Sequence, residues 1–339
     1  STVAATGGTN VADGNDKVFR MAFAGDIVSF DPAYGYDGIT CKIQPQVLET
    51  LLTFNAQNEL VDQLITGWSQ PDELTYVYEV RDDIVFSDGN PMTMEDVLFS
   101  IEHHQDPEVA SYLSWMFDGV ESIEQTGDWE FTVKLTEPNA CFKYVFATSA
   151  GMVFEKSFYE ENPEEFGKPG RGVVATGAFK FDSWTSGTEI VLSKNENYRD
   201  ASDVEWDKCI FEIISEDLTQ VKALTSGQVN MIFDPSLDVM SNVEEASGLD
   251  MQLVDTMGSV FLSFNNASGY FTDENVRKAC AYAIDEASMV DNVLYGYGKA
   301  TKNTPVNASL YVSDREGWEK QYDNELVDYS IDLEKAKEY

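Results

Sequence analysis

The stretch Leu64-Ile65-Thr66-Gly67-Trp68-Ser69, continued by Leu74-Thr75-Tyr76-Val77-Tyr78-Glu79-Val80-Arg81, decides the fold. Aromatic and β-branched residues crowd Thr75 to Arg81 and suit a pleated, half-buried surface, so the block reads as a β-hairpin region. The chain then runs through Val85-Phe86-Ser87-Asp88-Gly89-Asn90-Pro91, where Asp88-Gly89 signals a turn. It enters Met94-Glu95-Asp96-Val97-Leu98-Phe99-Ser100-Ile101, an amphipathic helix. Thr93 can cap that helix, and Asp96 at the third helical position completes a variant of the capping box.

Working outward, strand and helix signals alternate. Phe19, Met21 and Phe23 alternate with Arg20 and Ala22, which predicts a half-buried strand ended by Asp31-Pro32. Gln44 to Phe54 carries a helical apolar pattern in Val47, Leu48, Leu51 and Leu52. Trp129, Phe131, Val133 and Leu135 form another alternating strand that stops at Pro138. Tyr159 to Arg171 reads as a loop or domain junction. Phe179, Phe181, Ser186-Gly187 and Ile190-Val191-Leu192 describe a hairpin. Cys209 to Ile214, the helix through Leu218, Val221 and Leu224 with Gly227 to end it, and Val229 to Phe233 make a βαβ unit, hence a parallel pair. Val260, Leu262 and Phe264 predict a strand. Thr272 is expected to cap a helix with Val276, Ala279, Cys280, Ala283 and Ile284 on one face, and Asp285 a second helix. Leu333 to Tyr339 is a strong helix former without a complete apolar face, so the natural chain is expected to continue.

At 339 residues the chain has room for two domains. Its 60 acidic and 22 basic residues give a net charge of -38, a field that repels phosphate backbones and excludes nucleic acid as a partner. The plain reading is a solvated acidic coat on an exported protein. No apolar run approaches the ~18 residues that span a bilayer. Ser1 to Asn10 is a small-residue segment without periodicity, read with its neighbours as a flexible tether over 1–16. Cysteines 41, 141, 209 and 280 lie in no CxxC pattern, which disfavours zinc; disulfides and buried free thiols both stay open. Adjacent His103 and His104 point about 100° apart on a helix and cannot easily chelate one ion, so they read as solvated helix-end residues. No GxSxG elbow or glycine-rich phosphate loop occurs, and carboxylates are too many for any pair to stand out. No metal, no cofactor and no catalytic residue is expected.

The opening block resembles the signature segment of the family 5 extracellular solute-binding proteins, the peptide and nickel receptors of ABC importers. Three further segments resemble the same family in the same order: Phe30-Asp31-Pro32; Thr176-Gly177-Ala178-Phe179-Lys180-Phe181 to Trp184, with Lys194-Asn195-Glu196-Asn197-Tyr198; and Phe264-Asn265-Asn266 with Phe271, Val276-Arg277-Lys278-Ala279 and Tyr282-Ala283-Ile284-Asp285. The chain departs from the family at Asp83, Ser87, Ala178 and Asn230, where glycine, histidine, proline and an acidic residue are usual. The resemblance implies a two-lobed α/β fold of the periplasmic-binding-protein kind, type II, with mixed sheets and an extra inserted subdomain. Lobe I would comprise 17–41 and 172–258, the inserted subdomain 42–171, and a truncated lobe II 259–339. It further implies an extracytoplasmic, monomeric receptor, lipid-anchored through its N-terminus, that captures a dipeptide or oligopeptide and delivers it to an ABC-type permease without altering its bonds.

The resemblance also implies the site. Gly25, Asp26, Ile27, Val28 and Ser29 would form the first ligand-contacting strand, pairing with an extended peptide, or else an ordinary strand end. Tyr112 and Trp115 would face the cleft, or pack with Leu113, Met116 and Phe117 as core. Asn265 and Asn266 would bond a ligand backbone, or satisfy the turn that follows them. The rival readings are an oligosaccharide receptor of the same fold, a secreted carboxylate-dependent hydrolase, and a receptor for signalling peptides.

Overall fold

The computed structural model describes residues 2–7, 11–13, 16–254, 260–301 and 314–339. The chain divides into a larger unit, Gly7–Ile232, and a smaller one, Ser1–Thr6 with Phe233–Tyr339.

The larger unit holds a mixed sheet. Phe179–Thr185 pairs antiparallel with Glu189–Lys194, which pairs antiparallel with Lys208–Ile213. Lys208–Ile213 then runs parallel to Asp16–Phe23, with Phe211 opposite Met21, and Met231 and Ile232 lie parallel on that strand's other side. The expected βαβ unit therefore exists with one correction: its two strands are not neighbours, because Asp16–Phe23 lies between them. Flanked by strands on both sides, Asp16–Phe23 buries Val18, Met21, Ala22 and Phe23 instead of alternating. Of the segment read as a tether, Thr2–Gly7 and Val11–Asp13 are strands, the latter antiparallel to Asp16–Phe23. A short strand at a sheet edge needs main-chain partners and no apolar period, so composition alone hides it.

A second, four-stranded antiparallel sheet lies within residues 42–171, in the order Ile65–Asp72, Thr75–Val80, Glu130–Leu135, Val120–Gly127. Its inward face is aromatic. Tyr76, Tyr78 and Phe131 are fully buried, and the Tyr78 ring lies 5.0 Å from both Phe131 and Phe146. The helix Met94–His103 closes this core with Met94, Val97 and Ile101, one apolar face at i, i+3 and i+7. Its start is capped as the sequence predicts: Thr93 accepts from the Asp96 amide and Asp96 accepts from the Thr93 amide.

The predicted helix over Gln44 to Phe54 does not form. A single α-turn at Thr40–Ile43 leads into a 3-10 turn at Gln44–Gln46 and a strand at Leu52–Phe54. Val47, Leu48, Leu51 and Leu52 are buried all the same. Long-range main-chain bonds, Leu51 N to Gly151 O and Val153 N to Glu49 O, compete with the helical ones and win. The expected loop at Tyr159 to Arg171 begins inside a short helix, Lys156–Glu161.

In the smaller unit the strand Leu249–Val254 neighbours Thr2–Gly7. The predicted strand at Val260, Leu262 and Phe264 is absent; these residues run as irregular chain, with Val260 and Leu262 exposed. The helix Glu274–Ala283 is capped by Asp273, not Thr272, through the Asn275 amide. Asp285 caps Glu286–Asn292 as expected. Tyr282 is the buried residue of the first helix, and its ring stacks on Tyr339 at the end of the helix Leu333–Glu338.

Candidate functional site

The chain leaves the strand Asp16–Phe23 in bends, not in a further strand, and side chains hold those bends. The Asp26 carboxylate accepts from Trp184 Nε1 at 2.9 Å, from the Gly187 amide at 2.8 Å and from the Ile27 amide at 3.0 Å. The Val28 amide donates to Thr40 Oγ1. Ser29 is buried; its hydroxyl donates to Gly167 O, and its carbonyl accepts from Gln44 Nε2. Gly25 lies against Ile39, whose Cδ1 a Cβ there would meet at 3.3 Å. The amides of Ile27 and Val28 are thus bonded within the chain.

Two histidines fix the turn that follows. Both are buried, contrary to the solvated reading. His103 Nε2 lies 3.0 Å and 3.2 Å from the two Asp31 oxygens, inside a cage that includes Phe154 and Tyr159. Asp31 Oδ1 accepts in turn from the Ala33 amide. His104 Nδ1 lies 2.9 Å from Ser111 Oγ. Ser111 gives its single hydrogen to Ala33 O, so His104 is the donor at Nδ1. Burial, reinforced by His103, pushes the His104 imidazole down to about 4, so it is neutral. Ala33 O also accepts from the Tyr112 amide. Both ends of Ala33 are therefore held by histidine-oriented groups, and the tyrosines around it are set in place.

Those tyrosines form an exposed cluster. Tyr112 is 56% exposed, edge-on to Tyr34 at 5.6 Å and to Tyr36 at 6.4 Å. Trp115 is 62% exposed, whereas Leu113 and Phe117 are buried in the core. The segment Ser111 to Phe117 thus has exposed Tyr112 and Trp115 beside buried Leu113 and Phe117.

Beside this cluster, wholly within the larger unit, lies a groove of about 380 Å³ bounded by Tyr36, Pro45, Thr50, Gln63, Met116 and Met152. Its floor is wired to a buried ion pair. Gln63 Oε1 accepts from Thr50 Oγ1 at 2.7 Å, and Gln63 Nε2 donates to Glu49 Oε1 at 3.2 Å. Glu49 pairs with Arg199 at 2.6 Å. Burial lifts the Glu49 carboxyl above its ordinary range, against the pull of Arg199. A larger depression, about 530 Å³ at Asp72, Thr75, Glu121 and Lys134, lies at one end of the four-stranded sheet, and Leu74 and Leu135 also line it.

Asn265 and Asn266 belong to the smaller unit and are exposed. Asn265 Oδ1 accepts from the Ala267 amide at 3.0 Å, the turn that its residue type favours. Among the described residues no group of three or more histidine, cysteine or acidic side chains is placed to hold a metal. Cys209 is buried, and burial pushes its thiol up to about 12; Cys41 and Cys141 are exposed. Sequence reasoning missed the groove's own residues and the two histidines. Tyr34-Gly35-Tyr36, one residue beyond Asp31-Pro32, is the local signal that could have pointed there.

Residues 59–339 match the profile of the bacterial extracellular solute-binding proteins, family 5, and the chain belongs to that family. The dipeptide-binding protein DppE of Bacillus subtilis is 24% identical over 314 residues, covering 88% of this chain and 56% of DppE. The oligopeptide-binding protein OppA of the same organism is 24% identical over 332 residues, covering 92% and 59%. Among solved structures, DppA of Helicobacter pylori in complex with the peptide STSA superposes with a TM-score of 0.78 at 25% identity, covering 95% of this chain and 65% of DppA. NikZ of Campylobacter jejuni in complex with Ni(L-His) superposes at 0.80 with 23% identity, covering 95% and 62%. The chain thus spans less than two thirds of the length of these relatives. Among the described residues no helix is long and apolar enough to cross a membrane.

Proposed function

We propose that this chain is the ligand-capturing part of an extracytoplasmic receptor that binds peptides and delivers them to an ABC-type permease, leaving their bonds intact. The observation that carries the reading is the groove beside exposed Tyr36, Tyr112 and Trp115 in a chain of this family. Relatives named for dipeptide and oligopeptide binding support the choice of ligand. Both histidines of the chain are buried and engaged, by Asp31 and Ser111, so no imidazole lines the groove for a nickel complex. Tyr112 and Trp115 supply aromatic contact. The segment Gly25 to Ser29 contributes its exposed Val28 side chain, and Asn265 and Asn266 contribute amides. Delivery follows if the ligand favours one conformation through contacts that only this conformation makes. The protein acts as a monomer held to the membrane by an N-terminal lipid.

Calorimetric titration of the full-length protein with short peptides and with β-linked oligosaccharides tests this. Peptides are expected to bind, and Trp115→Ala to weaken them roughly tenfold by loss of aromatic contact. Binding of oligosaccharides alone, or release of cleaved products on incubation, would overturn it.

A further inference from the structure

A chain in which 24% of residues are charged has built a groove without a single charged side chain in its wall. Its apolar surface comes from Pro45, Leu48, Leu113, Met116, Ala147 and Met152. Four of its polar residues are bonded within the chain. Thr50 Oγ1 lies 2.5 Å from Leu52 O and 2.7 Å from Gln63 Oε1. Gln63 is bonded at both ends, to Thr50 and to Glu49. Thr148 Oγ1 donates to Val145 O at 2.7 Å and accepts from the Ala150 amide. Cys41 Sγ is directed at Gly35 O, 3.7 Å away. The nearest buried charge, Glu49, is 3% exposed, lies behind Gln63 and is neutralised by Arg199. What the groove presents to a visitor is therefore methyl, thioether and prolyl surface with the hydroxyl-bearing residues Tyr36, Thr53 and Ser149, and no charge.

We propose that this groove is a subsite for one uncharged, apolar side chain of the ligand, of branched aliphatic or thioether type. The inference rests on the peptide reading above and adds a selectivity to it. A carboxylate or ammonium entering the groove loses water and finds no opposite charge in its lining, which disfavours it. A leucine or methionine side chain loses nothing and gains contact with Met116 and Met152, whose flexible thioethers adapt to its shape. The acidic coat attracts cations to the surface at large, yet nothing in the groove itself holds one.

The test is a set of tripeptides Ala-Xaa-Ala, with leucine, methionine, glutamate or lysine at the centre, titrated into the full-length protein and followed by calorimetry. The leucine and methionine peptides are expected to bind at least about tenfold more tightly than the glutamate and lysine peptides. In Thr53→Lys, which sets an ammonium on the half-buried lining residue of the Leu52–Phe54 strand, the glutamate peptide is expected to gain and the leucine peptide to lose. Lys134→Gln, at an exposed residue outside the lining of this groove, is expected to keep the wild-type ranking, with melting curves confirming that both variants fold. Peptides that bind without ranking by the central residue, or a ranking that Thr53→Lys leaves unchanged, would overturn the apolar subsite and leave the receptor reading standing. Absence of binding by every peptide to the folded protein would overturn both.

Discussion

Tyr78 shows how a single atom can be out of place in a well-made core. Its ring is fully buried between Phe131 and Phe146, and its hydroxyl is buried without a hydrogen-bond partner. Burial pushes the phenol far above its ordinary range. Tyr78→Phe removes an unsatisfied polar atom and leaves the packing, so it is expected to be neutral or to stabilise by about 1 kcal/mol in urea unfolding. His104 gives a pH dependence. Its folded-state value is near 4 against 6.5 for the free side chain, so the unfolded state takes up a proton first as pH falls. The stability it contributes is complete above about pH 6.5 and drains away toward pH 4. Between pH 7.5 and 5 the wild type should lose about 2 kcal/mol more than His104→Asn, measured by denaturant midpoints at each pH. Neither histidine was readable as buried. Both follow Ile101 at the end of a helix, and the groups that receive them, Asp31 and Ser111, lie on other segments of the chain. For Tyr112 and Trp115 the sequence leaves a choice between cleft and core, and tertiary packing leaves both exposed while it buries Leu113 and Phe117.

At the scale of elements, local signals succeeded where the deciding bonds are local. The cap at Thr93, the hairpin turn at Gly187 and the cap at Asp285 each depend on residues within a few positions, and each forms. The helix expected over Gln44 to Phe54 failed because its main chain is claimed by Gly151 and by the partner strand Leu60–Asp62. The strand expected at Val260 to Phe264 has the alternation but no described pairing. A distant approach also fixes the site turn. Gly167, at φ +72, brings its carbonyl to the Phe30 amide, and a Cβ there would lie 2.2 Å from the Asp31 amide nitrogen. Gly167→Ala is therefore expected to destabilise by about 2 kcal/mol or more, since both the backbone conformation and the contact are lost. The same variant should quench the exposed tyrosine cluster differently from wild type, because Asp31 carries the Ala33 turn. An unchanged melting temperature would contradict this account.

At the scale of the whole molecule, a net charge of -38 works against compaction, because like charges repel more strongly in the folded chain than in the expanded one. Screening should relieve that repulsion. The melting temperature is expected to rise between about 0.05 M and 0.5 M sodium chloride, where the Debye length shrinks from roughly 14 Å to 4 Å. A fall across that range would show that specific ion pairs such as Glu49–Arg199 outweigh the coat. Family membership was legible in the sequence because four short segments occur in order, each tied to a turn or cap that the backbone requires. The groove was not, because its walls come from residues 35 to 63 and 113 to 152, and no contiguous pattern joins them.

The absence of charge from the groove's lining has a further consequence for the proposed subsite. Where an apolar group replaces water against methyl and thioether walls, no counterion is displaced, and a plot of log affinity against log salt for that group is flat. The acidic exterior responds to every change in salinity, while the proposed contact with an aliphatic side chain would not. If the groove is that subsite, capture there is uncoupled from the ionic strength of the medium in which the ligand is encountered.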